Sequence, residues 1–339
     1  MGYQIEVYLN NHLVSTSTNN YPYKAYVENL LQYGREAKET QLRSVGYYKD
    51  TAGNMDSANV LTGGNSGLTE RFALIGNNQT CHVYGPLYAD MFQLNKYILN
   101  GVETRITLWP SKSKFMLVKP DAVTGDFKIK ITDIYLHACK VTVKPEVVVA
   151  HNAMLTKTPA KYPYDRTRIL TYALPTGSYL FREDNLFQFE KPDKIIVGFV
   201  SSAAFQGSYS RNPLNFLSLT ISNIALYVND ISTPAQPMKL SFDDLDYKQA
   251  YYNLFTSLGK DGKDVGLDIS PEEYPNGYSL FVFDLKGGIN NGFLSLIEKA
   301  NLRIEATFGT ALSEPITCVI IGKFGDVFAI DLARNIIVK

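Results

Sequence analysis

Four histidines and three cysteines are the side chains of this 339-residue chain best suited to hold a metal or attack a carbonyl: His12, His82, His137, His151, Cys81, Cys139 and Cys318. A metal-dependent β-barrel enzyme needs two histidines close together on one strand, with a carboxylate a few residues on, so that three ligands meet inside. No pair of these histidines has that spacing. Cys81 is followed directly by His82, but a bare Cys-His pair is a weak signal, and an ordinary strand histidine is the better reading. His137 and Cys139 alternate on one segment, so both would point to the same strand face. Such a pair could act as a thiol–imidazole dyad, yet no third group to orient the imidazole is suggested. The cysteines form no Cys-x-x-Cys spacing and are odd in number, so buried free thiols are expected.

The other chemical signals are weaker. Asp243-Asp244 and Glu272-Glu273 fall in loops and read as solvated surface. Gly63-Gly64-Asn65-Ser66-Gly67 lacks the Lys-Ser/Thr of a phosphate loop, and Gly287-Gly288 lacks both the lysine and a helix start. No catalytic, cofactor-binding or metal-ligating residue is therefore assigned, no cofactor is expected, and the chain reads as not an enzyme.

Composition narrows the class further. Lys+Arg and Asp+Glu are both 33, which argues against a surface built wholly for nucleic acid, whose binding is driven by phosphate neutralisation. No sequence-specific nucleic-acid binding is expected. Tyr (23) and Phe (18) are abundant and sit at inward-alternating strand positions, which favours sheet and core packing over stacking platforms. No apolar run has transmembrane length and no secretory signal opens the chain, so a soluble, reduced protein, intracellular when made, is expected without a membrane partner. Asn78-Gln79-Thr80 is only a formal glycosylation acceptor in that setting.

The elements that would have to position any site show an internal repeat. Ile5-Glu6-Val7-Tyr8-Leu9-Asn10-Asn11 reads as a variant of Ile224-Ala225-Leu226-Tyr227-Val228-Asn229-Asp230. Each is followed by a short aromatic helix closed by glycine: Ala25-Tyr26 to Gly34, and Ala250-Tyr251 to Gly259. Downstream, Arg105-Ile106 aligns with Arg303-Ile304, and each copy ends on an alternating strand, Phe127–Leu136 and Val327–Val338. A repeat of this length is too long for a solenoid or a propeller blade and reads as two copies of one domain.

Reading along the chain, residues 3–9 and 13–14 alternate as strands around Asn10-Asn11. Tyr23, Tyr26, Val27, Leu30 and Leu31 share one helix face behind Pro22. Residues 36–69 look like a long polar surface insertion, and five or six strands are expected between Arg71 and Val143. Short strands with turns and few helices indicate an antiparallel sandwich or barrel. The domains expected are 1–145, a connection at 146–165, and 166–339. About 60 residues precede Ile224 in the second copy and four precede Ile5 in the first, so the first copy is expected to lack its N-terminal strands.

Several of these segments together resemble a known family. They are Tyr21-Pro22-Tyr23-Lys24-Ala25-Tyr26-Val27, Lys161-Tyr162-Pro163-Tyr164, Asn212-Pro213-Leu214-Asn215-Phe216, Gly277-Tyr278, Phe283-Asp284-Leu285 and Ile330-Asp331-Leu332-Ala333-Arg334-Asn335. Their order and spacing are similar to the major capsid protein of Polinton/Maverick-type elements and the related adintoviruses. The resemblance implies an all-β double jelly roll, two tandem antiparallel jelly-roll sandwiches with a few short helices. It also implies a homotrimer of pseudo-sixfold outline, neighbouring trimers in an icosahedral shell, a minor capsid (penton) partner, and location in the virion. The segment at 36–69 would then be an exposed loop that either decorates the outer surface or contacts a neighbour, the second being preferred. The rival readings are a host-domesticated jelly-roll module binding carbohydrate or protein, and a bicupin-like enzyme, which the histidine spacing disfavours.

Overall fold

A computed structural model describes residues 2–15, 20–286 and 299–338, so Gly287-Gly288 lies outside the described residues. Strands β1 (Gly2–Leu9) and β2 (His12–Leu13) form a hairpin, followed by helices α1 (Tyr21–Gln32), α2 (Arg35–Glu39) and α3 (Ser66–Ile75). After β3 (Thr104–Pro110) come α4 (Ser113–Met116) and α5 (Pro145–Leu155). Strands β4 (Ala160–Leu174), β5 (Leu180–Glu183) and β6 (Lys194–Ser201) follow, then α6 (Ser202–Gln206). Next are β7 (Phe216–Leu217), β8 (Ile221–Val228), β9 (Ile231–Lys239) and α7 (Lys248–Ser257). The chain ends with β10 (Asn276–Gly277), β11 (Leu280–Asp284), β12 (Leu302–Phe308), β13 (Ile316–Ile330) and β14 (Ile336–Val338).

The C-terminal half is a sandwich of two antiparallel sheets. One has the order β11-β6-β13-β14, with β4 also paired to β13, and the other has the order β5-β12-β8-β9. Period-2 alternation puts Leu302, Ile304, Ala306 and Phe308 of β12 inward, all nearly fully buried. Phe199 of β6 meets Phe308 of the facing sheet edge-on, with ring centroids 6.1 Å apart. Strand β6 is apolar on both faces because its outer face is covered as well. A Cβ on Gly198 would lie 2.5 Å from the Phe216 ring, which in turn stacks on Tyr26 of α1.

The first copy contributes a three-stranded sheet, β2-β1-β3, among the described residues. The repeat holds there in atomic detail. Asn10 donates its backbone N–H to the Glu103 carbonyl at 2.9 Å, and its side-chain oxygen accepts from Glu103 N–H at 2.7 Å. Asn229 makes the same two bonds with Asn301, at 2.9 and 2.8 Å. Arg105 lies over the Tyr8 ring at 4.3 Å, and Arg303 over Tyr227 at 4.4 Å. Asn10-Asn11 and Asn229-Asp230 all have left-handed φ, between 45° and 66°, as two-residue hairpin turns require. The fold is thus all-β, two tandem jelly-roll units with few short helices.

Several expectations need correction. Between Arg71 and Val143 the described residues hold one strand, β3, and Arg71 itself lies in α3. Asn65 caps that helix, accepting from Leu68 N–H at 3.4 Å. Phe127–Leu136 alternates as a strand would, but no described strand lies beside it, and a strand exists only where a neighbour takes its N–H and C=O groups. The connecting stretch is partly helical, because Pro145 suits the first turn of α5. Residues 36–69 do not form a loose loop. Their Asp50, Met55 and Asn65 are buried.

A second core joins the two ends of the chain. Ile5, Val7 and Leu9 of β1 pack with Tyr162, Tyr164, Phe328, Ile330 and Ile336. Here β4 and β13, paired over 15 residues, run beyond the second sandwich and under β1. Phe328 is fully buried and stacks on Tyr162 with centroids 4.8 Å apart. Phe328→Ala should therefore destabilise the protein by about 3–5 kcal/mol. Urea denaturation would measure the loss, and hydrogen exchange should speed up first in β1.

Candidate functional site

The residues singled out for chemistry do not converge. His12, His82, His137 and His151 are exposed and lie apart in the chain. His137 sits edge-on to Tyr84 and Tyr135, at 5.4 and 5.3 Å, whereas Cys139 meets the Tyr97 hydroxyl at 3.7 Å. The expectation of three buried thiols holds only for Cys318, whose thiol is pushed up by burial. Cys81 is half-buried and Cys139 exposed, because the strands expected to enclose them do not form. Among the described residues no group of three His, Cys, Asp or Glu side chains could hold a metal ion.

What the structure does gather is uncovered apolar surface. Ile131, Ile134, Tyr135 and Leu136 are 54–73% exposed, and Tyr84, Tyr97 and Trp109 are also open. The accessible surface is 19102 Å², against about 14,000 Å² for a compact monomer of 37.9 kDa. The difference exceeds the roughly 2,000 Å² that an obligate interface buries. The uncovered side chains cluster in residues 83–154, where alternation without pairing leaves both faces of an extended chain in solvent.

The polar feature is a cleft of about 820 Å³ where residues 35–70 meet α7 and the loop 266–273. The 36–69 segment is clipped down beside it. Asp50 pairs with Arg71 and accepts from Asn212 Nδ2 at 3.1 Å, while Tyr278 donates its hydroxyl to the Asp50 carbonyl. Asp56 accepts from Asn212 N–H at 2.7 Å and from Asn215 Nδ2 at 2.8 Å. Gly277, with φ +114°, leaves room for Met55, whose sulfur would lie 2.2 Å from an added Cβ. Inside the cleft, Lys49 bridges Glu273 at 2.7 Å and Asp268 at 3.7 Å. Lys38 is buried and donates to the carbonyls of Leu30 (3.0 Å) and Leu267. Lys38 thus ties backbone to backbone and Lys49 joins two carboxylates, while Ser270 in the cleft wall donates its hydroxyl to Glu272 at 2.8 Å.

Burial pushes the Lys38 ammonium down to about 7 from its ordinary 10.5. Between those values the unfolded chain holds a proton that the folded chain has lost, so stability rises with pH across this window. Below about 7 both states are charged and the full cost of burying the ammonium remains. The urea midpoint should therefore rise from pH 7 to pH 9.5. In Lys38→Met the corresponding rise in unfolding free energy should shrink by an amount on the order of a few kcal/mol.

No family model matches the chain. An uncharacterized protein of Caenorhabditis elegans is 25% identical over 348 residues, spanning 98% of this chain and 78% of its own length. Among solved structures, the cryo-EM structure of the Sputnik virophage contains a chain that superposes with a TM-score of 0.53 at 12% identity, covering 100% of this chain and 74% of that one. PBCV-1 VP54, fitted into a reconstruction of the virophage Sputnik, gives 0.51 at 9% identity over 96% and 80% of the two chains. At this level of identity the likeness is one of fold, the double jelly roll. Among the described residues no helix is long and apolar enough to cross a membrane.

Proposed function

We propose that the chain is a structural, non-enzymatic shell subunit that works by self-association. The observation that carries this reading is the apolar surface left open at residues 83–154 on a fold shared with a chain of a virophage. A side chain such as Ile134 gains about 25 cal/mol per Å² when water leaves it, so the open segment favours association with protein. The tandem repeat supports a trimer in which six similar jelly rolls ring one axis, a pseudo-hexamer suited to tiling an icosahedral shell. Residues 1–145 and 166–339 are the two units, joined through 146–165. The major capsid protein of Polinton/Maverick-type elements or adintoviruses is the subunit type that the ordered segments fit. Its partners are then further copies and a penton protein, its place is the virion, and it needs no cofactor.

Light scattering on the purified chain tests this, with a mass of three times 37.9 kDa expected. Ile134→Asp combined with Tyr135→Asp should weaken association by about tenfold or more without unfolding the second sandwich, whose hydrophobic core includes neither residue. A well-behaved monomer of the wild-type chain would overturn the proposal. The host-domesticated module would then lead, with the 820 Å³ cleft as its binding place.

A further inference from the structure

The ion pair between Lys24 and Asp90 stands in unusual surroundings. The Lys24 ammonium of α1 meets Asp90 Oδ1, and each side chain is only 7% exposed. The lysine pairs at Lys49, Lys286 and Lys323 each leave one partner 23% exposed or more. Around Lys24 and Asp90 their chain neighbours Tyr23, Ala89 and Met91 are buried, and so is Thr167 of β4. An ammonium carries three N–H groups, yet among the described residues Lys24 Nζ donates to Asp90 alone. A charge in so dry a place is costly unless its hydrogen bonds are made.

The other two groups of the cluster are arranged around that pair. Asp90 Oδ2 accepts from Thr167 N–H at 3.0 Å, so a backbone donor holds one carboxyl oxygen while the amine lies at the other. This is the geometry in which an acyl carbon is attacked, with a donor ready for the oxygen that gathers charge. Glu28 lies one turn further along α1 on the same face as Lys24, and is 4% exposed. Its carboxylate accepts from Gln93 Nε2 at 3.2 Å and from Lys323 Nζ at 3.3 Å. Gln93 belongs to the same short turn as Asp90, Asp90–Gln93, so a third carboxylate oxygen pair is held beside the first.

We propose that Lys24 and Asp90 condense into an intramolecular isopeptide bond between α1 and the turn Asp90–Gln93, with Glu28 as the proton carrier. Glu28 takes a proton from the Lys24 ammonium, and the freed amine attacks Asp90 Cγ. A C–N bond forms and the Cγ–Oδ1 bond breaks. Oδ1 leaves as water with the two protons that nitrogen gives up, one of them delivered by Glu28. Oδ2 stays as the amide oxygen on Thr167 N–H. Ammonium and carboxylate both become neutral, and no oxidant, reductant or co-reactant enters.

Condensation of an amine with a carboxylate does not proceed in open water. Fixing the two groups side by side supplies an effective concentration of about 10⁵–10⁸ M. Burial favours the neutral amide over two ions, and the amide leaves one N–H to satisfy in place of three. The bond would join positions 66 residues apart and fix α1 to the turn that holds β4. It concerns packing within one chain and does not rest on the shell-subunit reading.

Mass spectrometry of the denatured full chain tests the proposal. The wild-type chain should weigh one water less than its sequence, and Lys24→Met should have its full sequence mass. Trypsin should fail to cut after Lys24 and release residues 1–35 joined to residues 72–96. In Glu28→Gln the bond should form about a hundredfold more slowly after cell-free synthesis, with hydrogen exchange showing α1 in place. A wild-type chain of full mass would overturn the proposal. So would a lost water that persists in Lys24→Met or maps to other residues, or a Glu28→Gln rate equal to that of wild type. The wild-type mass and peptide map decide the matter if either variant fails to fold. Light scattering reports the shell-subunit reading separately.

Discussion

The 15-residue antiparallel ladder between β4 and β13 is the constraint on which the rest of the molecule depends. Its first half lies inside the second sandwich, where β13 is also paired to β6. Its second half leaves that sandwich and provides Tyr162, Tyr164, Phe328 and Ile330 to the core under β1. Two cores therefore share one pair of strands, and a strain at either is transmitted along continuous backbone. Pro163 is tolerated in the ladder because, among the described residues, no strand other than β13 pairs with β4, so no second ladder loses a bond to the proline.

The interactions that lock the halves together are polar and buried. Lys24 of α1 pairs with Asp90, and the same carboxylate accepts from Thr167 N–H of β4 at 3.0 Å. Glu28, one turn along α1, meets Lys323 of β13 at 3.3 Å. Burying such ions adds little net stability when each is paired, but removing one partner leaves a charge stranded. They therefore fix where α1 sits more than they hold the fold together. The clip around Asp50 and Asp56 does the same for the 36–69 segment, which is why its place is against the second sandwich.

The open surface in the first half and the closed surface in the second arise from the same sequence pattern. In β12 each inward residue meets a facing sheet and is covered. In β3 the corresponding residues have β1 on one edge and no described strand on the other, so Ile106 and Leu108 are left partly in water. Apolar surface of this kind favours association with other protein and is an aggregation hazard while it stays uncovered.

The sequence by itself determined the repeat, the two Asn-headed hairpins, and the aromatic face of α1 at Tyr23, Val27, Leu30 and Leu31. These are local or periodic properties, carried by residue type and spacing alone. Tertiary structure decided the rest. Whether Phe127–Leu136 pairs depends on a neighbour that alternation cannot supply, and the helix at Ser66–Ile75 sat behind a glycine-rich run that read as loop. The cleft holding Lys38 was illegible because its walls come from residues 35–70 and 251–273, distant in sequence. The motif segments Asn212–Phe216 and Gly277-Tyr278 were visible as words. Only folding showed that they meet Asp50, Met55 and Asp56, since hydrogen bonds across 150 or more residues leave no periodic trace.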